Sequence, residues 1–138
     1  DFISMHAVLD SENRGLMGDA EFRMMKPSAY IINTARGALI QEEALLAALV
    51  EKRIAGAGID VFDKEPIHPD HPFYGMDNVL ITPHLAYYTT EADNRLDQEC
   101  LFSAQRILKG EPLVNVKNGD VLAAMGEKVR WLPYGELP

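Results

Sequence analysis

Residues 29–37 read Ala-Tyr-Ile-Ile-Asn-Thr-Ala-Arg-Gly, an apolar run that ends in a polar turn carrying one arginine. The run over 29–33 does not alternate with polar residues, which is the pattern of a strand covered on both faces, as in a parallel sheet. A cationic group at the carboxyl end of such a strand stands where open α/β sheets bind ligands. Arg36 is therefore the first candidate functional residue, and the chain around it can be read for what else reaches the same edge.

On the N-terminal side, Phe2 to His6 reads as a strand followed by a polar loop with Asp10, Ser11, Glu12 and Asn13. Gly18-Asp19 opens a short helix over 19–25, with Leu16, Phe22 and Met25 available to a core and Pro27 marking the end. On the C-terminal side, Gln41-Glu42-Glu43 begins a helix whose Ala44, Leu45, Ala48 and Leu49 share one face. Acidic residues in its first turn and Lys52-Arg53 in its last suit the helix dipole. A third strand is expected within 56–61, where small residues imply close packing. A fourth follows at Val79-Leu80-Ile81, after a Pro- and His-bearing loop over 63–76. A long helix is expected from Thr90 to Leu108, with Ala92, Leu96, Cys100, Ala104 and Ile107 on an apolar stripe and Gly110 stopping it. Val114-Asn115-Val116 reads as a last extended piece and Gly119–Pro138 as a peripheral tail. Alternating strand and helix patterns signify right-handed crossovers and a parallel sheet. The expected fold is α/β: the second half of a doubly wound, Rossmann-like sheet, incomplete in this chain.

The composition sets limits. The 138 residues, 47% hydrophobic and 25% charged, suffice for one cored domain. Thirteen basic against twenty-one acidic side chains give a net charge of −8, which argues against a nucleic-acid or anionic-membrane surface. A small anionic substrate would then need a local positive site. The single cysteine, Cys100, excludes an internal disulfide framework and suits a cytoplasmic location. No stretch has the length of a membrane span or the layout of a signal peptide. Asp1 opens directly on a strand-like run, so further chain is expected upstream.

Three chemical groups follow three successive strands: Arg36 after 29–33, Glu65 after 55–61 and His84 after 79–81. In a parallel sheet those strand ends share one edge, so the three can converge on one cleft. An arginine fork grips a carboxylate bidentately, a histidine exchanges a proton near neutral pH, and a neighbouring carboxylate favours the charged imidazole. The trio suits reduction of a 2-oxo acid, with His84 protonating the oxygen on which charge builds and Arg36 holding the acid. Against this, an arginine in a turn is commonly solvated, Glu65 before Pro66 is an ordinary loop carboxylate, and His84 after Pro83 can simply cap a turn. Asp60 in an apolar strand is costly unless hydrogen-bonded, which implies a structural or ligand-binding role. His6, His68 and His71 have no metal-ligand spacing, and Tyr87-Tyr88 are positioned to wall a pocket or to pack under the long helix.

Met25-Lys26-Pro27, Ile32-Asn33-Thr34-Ala35-Arg36-Gly37, Asp60-Val61-Phe62 with Glu65-Pro66, and Asn78-Val79-Leu80-Ile81-Thr82-Pro83-His84 occur in the order and spacing of one family. From Asp1 to about Asn118 the chain resembles the C-terminal part of the D-isomer-specific 2-hydroxyacid dehydrogenases. Ala86-Tyr87-Tyr88-Thr89-Thr90 is more similar to the D-lactate dehydrogenase branch than to the phosphoglycerate branch. The resemblance implies that residues 1–118 are the C-terminal half of a nucleotide-binding domain, with the helix near 90–108 returning and 119–138 peripheral. It implies that Arg36, Glu65 and His84 are catalytic: substrate-binding arginine, partner of the histidine, and acid/base. It implies cofactor contacts from Asn13, Thr34, Ala35, Arg36, Asp60 and His84, with Asp60 near the nicotinamide carboxamide. The implied cofactor is NAD, with NADP left open. The implied partners are a small 2-oxo acid and a second subunit of a homodimer, without nucleic acid or membrane.

Two departures from the family pattern stand out. His6-Ala7-Val8 lacks the proline of the family's His-x-Pro, and the Gly-rich phosphate turn would precede Asp1. Gly56-x-Gly58 is no substitute, because it lies inside a strand rather than between a strand and a helix. The isolated chain is therefore expected to bind dinucleotide poorly and to be inactive, while the parent protein is an enzyme. The alternative is a non-catalytic regulatory or interaction protein on the same fold.

Overall fold

The structure is a computed structural model that describes residues 1–114 and 116–124. It falls into two compact units, Asp1–Tyr87 and Tyr88–Pro138. The first holds four parallel strands in the order β1 (Phe2–Met5), β2 (Tyr30–Asn33), β3 (Gly56–Ile59), β4 (Val79–Ile81). Helix α1 (Asp19–Met24) links β1 to β2, and α2 (Glu42–Val50) links β2 to β3. Short 3₁₀ turns lie at Gly37–Leu39 and Pro72–Gly75. The α/β fold with a parallel sheet is the expected one, and the strands run outward in chain order as half of a doubly wound sheet does.

The register decides where the chemistry falls. Met5 pairs with Asn33, Asn33 with Ile59, and Ile59 with Ile81, so one row of residues closes the carboxyl edge of the sheet. Every segment that leaves this row starts from the same side of the molecule. The core beneath it is built from both sheet and helices: Ile31, Ala57 and Ile59 from strands, Phe22 from α1, and Leu45, Ala48 and Leu49 from α2. Each large aliphatic or aromatic side chain so buried contributes roughly 1.5–3 kcal/mol. Gly56 is small for the reason its strand suggested: a Cβ there would lie 2.6 Å from the Asn78 carbonyl oxygen and 2.8 Å from the Tyr30 ring.

Some boundaries differ from expectation. α1 ends at Met24, β1 at Met5 and β3 at Ile59, each one or two residues early. α2 ends at Val50, so Lys52 and Arg53 lie beyond its last turn rather than in it. Lys52 takes a left-handed backbone, φ 55°, which stops the helix, and Arg53 turns to Glu51 and to Asp19 of α1, both at 2.8 Å. Leu16 is half exposed rather than buried.

The second unit contains α3 (Thr90–Lys109) and α4 (Gly119–Ala124). Thr89 caps α3 by accepting from the Ala92 N–H at 3.1 Å, and Gly110 stops it in the left-handed conformation, φ 69°. No residue of α3 is buried, so its apolar stripe forms no core among the described residues. The opening of the expected tail is the helix α4. Asn115, within the expected extended piece, and residues 125–138 of the tail lie outside the described residues.

Candidate functional site

Past the row Met5–Asn33–Ile59–Ile81, the chain turns three times at one edge, and each turn is built from side-chain bonds to backbone. After β2, Asn33 is only 1% exposed. Its amide donates to the Arg36 carbonyl at 2.9 Å and its Oδ1 accepts from the Ala35 N–H at 3.1 Å. A buried amide with both ends bonded holds the Thr34-Ala35-Arg36 turn to the end of the strand. Arg36 itself is exposed, its Nη1 donates to the Ala35 carbonyl at 2.6 Å, and among the described residues it forms no ion pair. Gly37 follows because nothing larger fits: a Cβ there would lie 2.0 Å from the carbonyl carbon of Phe62. The turn after β2 thus presses on the segment after β3.

After β3, Asp60 is 3% exposed, yet it carries a carboxylate. Its Oδ1 accepts from the Thr82 hydroxyl at 2.5 Å and the Leu85 N–H at 2.8 Å, and its Oδ2 from the Ala86 N–H at 3.0 Å. Burial pushes the Asp60 carboxyl up, but these three bonds and the nearby His84 together outweigh burial and hold it below its ordinary value. A charged Asp60 therefore gathers the segment after β4 around itself.

His84 sits at the start of that segment. Its N–H donates to the Asp60 carbonyl at 2.9 Å, and its φ of 56° is left-handed, a conformation histidine adopts more readily than most residues but still at a cost. The side chain meets Glu65 with Nδ1 2.7 Å from Oε2, while Glu65 Oε1 accepts from the Phe62 N–H at 2.9 Å. The bond to His84 is the main influence holding the Glu65 carboxyl below its ordinary value, the Phe62 N–H adds to it, and burial opposes both. With Glu65 charged, the shared proton belongs on Nδ1 of the imidazole, leaving Nε2 for exchange.

Arg36, Glu65 and His84, expected to converge, line one cleft of about 270 Å³ with Leu9, Arg14, Gly37, Ala38, Phe62 and Asp63. Glu65 and His84 also border a more apolar hollow of about 400 Å³ lined by Asp60, Phe62, Pro66, Ile67 and Pro83. The histidine–carboxylate pair stands between the two. Thr34 is exposed and Ala35 half-buried on the turn beside Arg36. Asn13 lines neither hollow; its amide donates to the Val8 carbonyl at 2.6 Å and its Oδ1 accepts from the Asp10 N–H at 2.9 Å, closing the loop after β1 whose Leu9 and Arg14 line the cleft. Tyr87 and Tyr88 are exposed. Asn33 is the site residue that reading the sequence left without a role. The one available signal was an amide at the end of an otherwise apolar strand.

The comparisons with known proteins bear on this geometry. Residues 1–86 match the family model for the D-isomer specific 2-hydroxyacid dehydrogenase, NAD binding domain. The chain belongs to this family. It is 42% identical over 134 residues to a glyoxylate reductase of Thermofilum pendens, covering 96% of this chain and 40% of that protein. Among solved structures, D-lactate dehydrogenase with NAD⁺ from Lactobacillus jensenii superposes with a TM-score of 0.72 at 32% identity, over 80% of this chain and 37% of that one. An NADPH-dependent glyoxylate/hydroxypyruvate reductase of Sinorhizobium meliloti, solved with NADP and sulfate, gives 0.69 at 30% identity, over 82% and 37%. The chain thus spans about two fifths of the length of the glyoxylate reductases it matches. Among its described residues no helix is long and apolar enough to cross a membrane.

Proposed function

We propose that the protein carrying this chain is an NAD(P)-dependent oxidoreductase that interconverts a small 2-oxo acid and its D-2-hydroxy acid, and that Arg36, Glu65 and His84 are its catalytic groups. The observation that carries the reading is the 2.7 Å Glu65–His84 bond in a cleft that Arg36 also lines. Arg36 has no carboxylate partner among the described residues, so its guanidinium is available to a substrate carboxylate in bidentate fashion. Next to that acid, the carbonyl oxygen gains negative charge during reduction. His84 Nε2 delivers a proton to it, and Glu65 stabilises the imidazolium from which the proton comes. In the oxidative direction the same nitrogen accepts the proton.

The residues present fit the nicotinamide end of the cofactor. Asp60 Oδ2 accepts one bond, from Ala86, and keeps a lone pair for an amide donor such as a carboxamide, while the turn after β2 offers an exposed Thr34 and a half-buried Ala35. When bound, a reduced nicotinamide supplies the hydride. Relatives solved with NAD⁺ and with NADP support either cofactor. The names of the relatives favour a short 2-oxo acid such as glyoxylate, hydroxypyruvate or pyruvate.

The test is steady-state reduction of these acids by the protein carrying the chain, followed by loss of NADH or NADPH absorbance. His84→Gln is expected to lower kcat by about 10²–10⁴-fold, the usual contribution of a positioned acid. Arg36→Ala is expected to raise KM for the 2-oxo acid as well as lower kcat. Absence of turnover on every 2-oxo acid tried would refute the proposal and favour a non-catalytic role.

A further inference from the structure

A second histidine–carboxylate pair joins the loop that carries Glu65 to the start of α2. His71 Nε2 is 2.8 Å from Glu42 Oε1 at the start of α2, and its Nδ1 accepts from the Phe73 N–H at 3.3 Å. The backbone bond at Nδ1 puts the proton on Nε2, so His71 donates to Glu42. The side chain is 14% exposed. Its ring stands edge-on to Phe73 at 4.6 Å and to Phe62 at 6.2 Å. Phe62 is the residue whose N–H holds Glu65 Oε1.

Between Phe62 and the 3₁₀ turn at Pro72–Gly75 the loop has no regular secondary structure to define its path. His71 bonds to α2 at one nitrogen and closes the 3₁₀ turn at the other, while its ring backs the aromatic residue next to the catalytic pair. We infer that His71 is a positioning residue for catalysis: through Glu42 and Phe62 it fixes the loop that presents Glu65 to His84. The inference rests on the function proposed above. It bears on Glu65 more than on Arg36, whose turn takes its side-chain hydrogen-bond bracing from Asn33.

The test compares His71→Ala, Glu42→Ala and Glu42→Gln in the protein carrying the chain, assayed well below the melting temperature of each variant. His71→Ala and Glu42→Ala are each expected to lower kcat about tenfold, with KM for the 2-oxo acid within about twofold of the parent, and the double variant falls little further. Glu42→Gln keeps an oxygen acceptor for Nε2 and is expected to retain most of the rate. That rescue and the kcat-against-KM split distinguish positioning from a loss of stability alone. Glu42 is partly exposed, so its variants report even if His71→Ala does not fold. The inference is overturned if Glu42→Ala keeps the parent kcat while His84→Gln is impaired, or if Glu42→Gln loses as much as Glu42→Ala. A parent without turnover, or His84→Gln at the parent rate, would overturn the proposed function instead.

Discussion

Replacing Gly37 by alanine adds one methyl group and is expected to damage catalysis more than its size suggests. The new Cβ would lie 2.0 Å from the Phe62 carbonyl carbon, 2.3 Å from the carbonyl oxygen and 2.4 Å from the Asp63 nitrogen. All three are backbone atoms, so no side-chain rotation relieves the clash. Reaching the 3.4 Å of ordinary contact requires the two segments to part by about 1.4 Å. One segment carries Arg36 and the other carries Phe62, which holds Glu65, so the parting separates the carboxylate grip from the acid. Misplacement on the order of 1 Å costs about 10²-fold in rate, or about 2.7 kcal/mol of barrier. Overpacking adds a stability loss of about 1–3 kcal/mol. The assay is kcat/KM for 2-oxo acid reduction alongside a thermal melt. Gly75→Ala is the control, because nothing lies within 4 Å of a Cβ there. Gly37→Ala with parent kcat/KM and parent melting temperature would refute the claim that this contact sets the Arg36–His84 spacing.

Asn33→Ala removes both bonds that brace the Arg36 turn from a buried position. It is expected to cost about 2–4 kcal/mol in urea unfolding and to raise KM for the 2-oxo acid. Asp60 gives a pH dependence of defined sign. Its folded carboxyl is held below the ordinary value of 3.8, so its contribution to stability is full above that value and is lost as pH falls through the depressed one. Asp60→Asn is expected to be less stable than the parent at pH 7, with the gap narrowing below about pH 4. Unfolding curves measured from pH 7 down to acid would check this, and a gap that stays constant with pH would contradict it.

Much of the site was legible because its three chemical groups each follow an apolar run. Parallel pairing then brings Arg36, Glu65 and His84 to one edge whatever the details of the helices between. Asp60 was legible as an anomaly, a charge inside an apolar strand. Its partners were not, since Thr82, Leu85 and Ala86 lie 22 to 26 residues away and two of them use only their backbone N–H. Asn33 was hidden for a similar reason, as local backbone bonding by a side chain has no spacing signature. The early end of α2 depended on Lys52 adopting a left-handed backbone, which lysine does not advertise. Periodicity marked an apolar stripe on α3, but periodicity describes the helix and not its surroundings.

The strand order β1-β2-β3-β4 has a consequence for how the site is made. As the chain leaves the ribosome, β2, β3 and β4 each find a neighbour already synthesised, and no pairing among the four has to wait across a later strand. Such near-neighbour contacts close short loops and form early. The three side chains that share the cleft are then delivered in sequence: Arg36 after the second strand, Glu65 after the third and His84 after the fourth. Asp60, just past the third strand, finds its partners Thr82, Leu85 and Ala86 only beyond the fourth. Those three partners flank His84 in the same short stretch, so the bonds that satisfy Asp60 also set the histidine beside Glu65.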